Sequence, residues 1–121
     1  MGLKTSETSF TTTMSVPEIG RALQTAFAAA KAESIDAIDS GSGALSGFDD
    51  RASIEVVGHG GSLLGGQWAV QVYVYDHGDA RKVLLVALGD GGFTRAWHGA
   101  RNTASLALST RKRDLVCGLL R

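Results

Sequence analysis

Apolar and polar positions switch between two periods along this chain. Phe10, Thr12 and Met14 alternate with Thr11, Thr13 and Ser15, the pattern of a half-exposed strand. From Ile19 the period lengthens. Ile19, Ala22, Leu23, Ala26, Phe27 and Ala30 recur at three- and four-residue intervals, which is one face of a helix. The spacing predicts a helix over residues 16–32. Its start is written in Ser15-Val16-Pro17-Glu18, a capping box in which Ser15 and Glu18 each bond the other's backbone N–H. Pro17 falls in the first turn, where its missing N–H costs nothing.

Period two returns over residues 53–57, with Ile54 and Val56 inward. Residues 58–66 carry five glycines and read as a flexible hairpin connection. The clearest strand spans residues 67–76. Trp68, Val70, Val72 and Val74 face one way, and Gln67, Ala69, Gln71, Tyr73 and Tyr75 the other. His77-Gly78-Asp79 is a hairpin turn. Residues 82–88 form a strand apolar on both faces, hence a central or covered one. Residues 93–108 have no single period. Ser109 or Thr110 can then cap a last helix with Leu115, Val116, Leu119 and Leu120 as its apolar stripe.

The predicted order is β-α-β-β-β-α. Short connections between consecutive strands make an antiparallel meander. The fold class is α+β, with both helices packed on one face of an antiparallel sheet and the first strand at an edge or beside the fourth. At 121 residues the chain makes one domain, residues 1–121, with polar residues 1–8 read as disordered.

Composition narrows the setting. The 44% hydrophobic and 20% charged fractions are those of a globular protein. Cys117 is the one cysteine, so no intrachain disulfide forms and the helix holds it as a buried thiol. No secretory leader and no span for a bilayer is visible, and the chain reads as soluble and cytoplasmic. The formal net charge is zero but unevenly placed: four basic against ten acidic residues precede position 81, and eight against two stand from position 81 onward.

Candidate chemistry is sparse. The glycines of residues 58–66 lack the lysine and the following helix of a phosphate loop. His59, His77 and His98 have no metal-ligand spacing, and no metal or other cofactor is expected. No serine sits in a nucleophile elbow. The chain therefore reads as a non-enzyme. Two surfaces remain. One is the sheet face opposite Trp68, where Tyr73, Tyr75 and Gln71 offer aromatic and polar anchors to a partner chain or a second copy. The other is basic: Arg95, Arg101, Arg111, Lys112 and Arg113 would bind an anion, nucleic acid or an acidic partner if they cluster.

The opening, a strand followed by Val16-Pro17-Glu18 and a helix, resembles the start of helix-grip lipid-binding proteins. Those proteins have more strands and a longer closing helix that walls a cavity, so the resemblance ends with the opening and assigns no family. The leading expectation is a non-catalytic protein-interaction or self-association module, in the latter case a homodimer, using the Tyr73 face. The alternatives are an anion- or nucleic-acid-binding domain on the basic surface and a small apolar-ligand domain with a pocket between the first helix and the sheet.

Overall fold

A computed structural model describes residues 5–37, 52–62, 66–89 and 106–121. Within them run β1 (Thr5–Thr12), α1 (Val16–Ala29), β2 (Ser34–Ala37), β3 (Ile54–Ser62), β4 (Gly66–Asp76), β5 (Arg81–Leu88) and α2 (Leu106–Leu120). The strands form one antiparallel sheet in the order β1-β5-β4-β3-β2. Both helices contribute to the same core against one face of it. The α+β class and the meander follow the sequence expectation, and β1 lies both at an edge and beside the last strand.

Three differences have physical causes. β1 begins at Thr5, because residues 5–8 pair with Leu85 to Leu88 of β5 rather than fray. The order gains a strand, β2, whose four residues pair with residues 56–59 in the middle of β3. Most importantly, Gly58, Gly60 and Gly61 belong to β3 and not to a loop. Residues 63–65 and the Gly- and Ser-rich stretch of residues 39–50 lie outside the described residues.

Helix α1 starts as its sequence predicts. The Ser15 hydroxyl accepts from the Glu18 N–H at 3.3 Å, and the Glu18 carboxylate accepts from the Ser15 N–H at 2.9 Å. That second bond holds the Glu18 carboxyl below its ordinary value. The helix ends one turn before the predicted residue 32. The N–H groups of Lys31 and Ala32 bond back to the carbonyls of Ala28 and Phe27 at 3.0 Å each, the two bonds of a Schellman ending. Lys31 takes the left-handed position with φ 66°.

The helix-facing side of the sheet is closely packed. Ile19, Leu23, Ala26 and Phe27 of α1 and Val116, Cys117 and Leu120 of α2 meet Trp68, Val70, Val72, Val74, Val83 and Leu85. Phe27 and Trp68 stack with ring centroids 6.4 Å apart. The Phe27 ring lies where a side chain on Gly58 would be: a Cβ there would come within 2.3 Å of it. Gly60 is similarly hemmed in, its missing Cβ 3.1 Å from the Lys31 carbonyl and 3.2 Å from the Trp68 indole nitrogen. These glycines let α1 and the chain after it lie directly on β3.

Gly58→Ala should therefore destabilise the fold by about 1–3 kcal/mol, the usual cost of overpacking a tight core. Urea unfolding followed by tryptophan fluorescence measures it. A flexible-linker glycine would give a change within about 0.5 kcal/mol.

Candidate functional site

The face away from the helices is built by the second set of alternating positions. Across it run Glu7, Ser9 and Thr11 of β1, Lys82, Leu84, Val86 and Leu88 of β5, Ala69, Gln71, Tyr73 and Tyr75 of β4, and Glu55, Val57 and His59 of β3. The sequence placed Tyr73, Tyr75 and Gln71 together on this face, and so they are. The expectation that all three are open does not hold. Tyr73 and Gln71 are each 8% exposed, and Val57, Ala69, Val86 and Leu88 form a second buried cluster around Tyr73. Tyr75 remains half-buried at its border. Burial pushes the Tyr73 phenol up to about 12, with Glu55 and Tyr75 adding to the rise. Burial, then Glu55, also raises Tyr75.

Toward the β2 edge this face becomes polar. Nε2 of His59 lies 2.7 Å from one carboxylate oxygen of Asp36, and the Ser34 hydroxyl donates to the other at 3.1 Å. These three residue types suggest a nucleophile, a base and an orienting acid. Their order argues otherwise. In a hydrolytic triad the imidazole stands between hydroxyl and carboxylate. Here the carboxylate stands in the middle, and the Ser34 hydroxyl donates its hydrogen bond to Asp36. The arrangement ties the short strand β2 to β3. Sequence reasoning missed it because Ser34 and Asp36 sit on a strand only four residues long; the alternation Ser34, Ile35, Asp36, Ala37 is its one signal.

The basic surface is not gathered into a site by the described residues. Arg95 and Arg101 lie outside them. Arg111 is exposed. Lys112 turns inward, donating to the Ala30 carbonyl at the end of α1 at 2.8 Å and lying 5.4 Å from the Trp68 ring centroid. Arg113 is buried, bonded to the Ser6 hydroxyl at 2.7 Å and to the Asp114 carboxylate. Two of the five cations thus hold α2 to α1 and β1. Ser109, expected as a helix cap, is inside α2 and fully buried, its hydroxyl accepting from the Ala69 N–H at 3.0 Å.

The last helix corrects another expectation. Of its predicted apolar stripe, Val116 and Leu120 are buried, while Leu115 and Leu119 are 43% and 52% exposed. The inward face of α2 is centred instead on Ser109, Arg113, Val116, Cys117 and Leu120, which turns Leu115 and Leu119 away from the sheet. Leu115 and Leu119, one turn apart, form an apolar step on the outside of α2 beside the exposed Gly118. Beneath α1, Ile19, Leu23 and Phe27 are buried against the sheet.

No family model, curated protein or solved structure matches this chain. No helix among the described residues is long and apolar enough to cross a membrane.

Two outcomes follow. In an alkaline absorbance titration, Tyr75 should ionise before Tyr73, and Tyr73→Phe should remove the later step near 12. Because the folded phenol is raised, its share of stability is full below about 10 and is lost as pH rises through the folded value. Replacing Lys112 by Met should cost about 1–2 kcal/mol of stability, since it strips the charged bond from the end of α1. A lysine reserved for an external anion would leave the unfolding midpoint unchanged.

Proposed function

We propose that this chain is a non-catalytic protein-interaction module whose partner is a second copy of itself. The observation that supports the reading is the outer edge of β1. This strand is eight residues long, TSETSFTT, and is the terminal strand of the sheet. Its outer backbone groups have no neighbouring strand among the described residues. Natural edge strands are usually blunted by lysines, proline, bulges or shortness. β1 has no lysine, proline or bulge, and Glu7 is its one charge. Its register with β5 runs unbroken from Thr5↔Leu88 to Thr12↔Arg81, and threonine suits a pleated surface. The opposite edge, β2, is four residues long and tied back through Asp36 and His59. Among the described residues, one edge is short and tied back, and the other has no neighbouring strand.

A second reading places the contact on α2, where Leu115 and Leu119 make the exposed apolar step. The two readings separate cleanly. Light scattering after size exclusion, at tens of micromolar protein, should give twice the 12.6 kDa chain mass. Ser9→Lys puts a lysine in the middle of the exposed face of β1 and should return the protein to 12.6 kDa. Leu115→Ser with Leu119→Ser should leave the dimer intact. If the leucine changes dissociate it and Ser9→Lys does not, the α2 reading replaces the edge. A wild-type chain that stays monomeric contradicts both.

A further inference from the structure

Resting on the edge-pairing reading, we infer that two copies join antiparallel through β1 in a single register, centred on Ser9, and that Glu7 of each copy is latched to Lys82 of the other.

The register follows from symmetry and charge. Antiparallel pairing of identical strands puts the two-fold axis normal to the sheet, so each residue points to the same face in both copies. The axis must then pass through a residue position, and residue pairs have like parity. Glu7 is the one ionisable side chain of β1. Centring on Glu7 sets the two carboxylates opposite each other, and directly opposed like charges on a sheet are destabilising. Centring on Phe10 puts Glu7 opposite residue 13, beyond the end of β1. Centring on Thr8 pairs Glu7 with Ser9, whose inner neighbour is Leu84, an apolar side chain beside a carboxylate.

Centring on Ser9 pairs Glu7 with the other copy's Thr11. The inner neighbour of Thr11 is Lys82. Glu7, Thr11 and Lys82 then lie in one row across the seam. Adjacent strands are about 4.8 Å apart, so the Glu7 and Lys82 backbones are separated by roughly 10 Å. Thr11 between them is short, and the two long side chains span that gap over it. Both point to the face away from the helices, and both are exposed. Neither has an ion-pair partner among the described residues. Symmetry forms the latch twice.

The normal axis has a structural consequence. The two sheets merge into one of ten strands, and both helix layers lie on the same side. The exposed Leu115 and Leu119 of each copy therefore face one way, on a surface containing two identical apolar steps.

Charge reversal tests the latch. Sedimentation equilibrium of Glu7→Lys, of Lys82→Glu and of the double variant gives the dimer dissociation constants, with circular dichroism confirming that each variant folds. Each single reversal should weaken the dimer at least about tenfold, equal to about 1.4 kcal/mol. The double reversal should restore it, and added salt should weaken wild type and double variant alike. A dimer that both single reversals leave unchanged overturns the latch and its register while leaving edge pairing standing. A dimer weakened by the singles and not restored by the double also overturns it. A wild-type chain that is monomeric throughout removes edge pairing, and the latch with it.

Discussion

The fold depends on one close approach. The Phe27 ring occupies the space that a side chain on Gly58 would need, and it stacks on Trp68 of the neighbouring strand. Around this contact the remaining elements are gathered. Gly60 lets the chain leaving α1 pass over β3, where the Glu33 N–H bonds the His59 carbonyl at 2.8 Å. Lys112 reaches from α2 to the Trp68 ring and to the carbonyl of Ala30, the C-cap of α1. Two helices and two central strands therefore share a few side chains at one point. A core so filled has well-determined geometry and little tolerance for added volume.

How much of this was legible depends on the range of each signal. The capping box of α1 was readable because Ser15 and Glu18 act within one turn, and local hydrogen bonds leave local spacing. The two faces of β4 were readable because alternation is local too. The glycines of β3 were misread for the opposite reason. Their cause is Phe27, on a different element, and no local rule tells a glycine that yields to a ring from one that turns a loop. Ser109, Arg113 and Lys112 were likewise opaque. Each is polar and each is turned inward, held by Ala69, by Ser6 and Asp114, and by Ala30 respectively. A hydrophobic-period argument scores such residues as outward. It consequently assigned Leu115 and Leu119 to the core, when the helix had already filled that face.

The candidate surface moved for related reasons. Tyr73 and Gln71 were placed on the correct face, but that face has its own buried cluster, so little of either is exposed. Among the described residues, Glu7, Ser9, Thr11 and Lys82 of this face are exposed, as are Leu115 and Leu119 on the outside of α2. The uneven distribution of charge along the chain gains a meaning here. Glu7 belongs to the acidic part and Lys82 to the basic part, and the sheet sets the strands that carry them side by side. Within one copy they stand apart along β5, since Glu7 lies opposite Val86. A two-fold pairing of β1 would bring them together.

All of this rests on residues 57–59 being a packed strand held under α1. Amide hydrogen exchange followed by NMR tests that directly. The N–H groups of Val57, Gly58 and His59 lie in a strand flanked by β2 and β4, so they should exchange as slowly as those of Val70 and Val72 in the centre of the sheet, through global unfolding only. Exchange as fast as that of the exposed turn at His77 and Gly78 would mean that the glycines are a mobile connection, and would contradict the account.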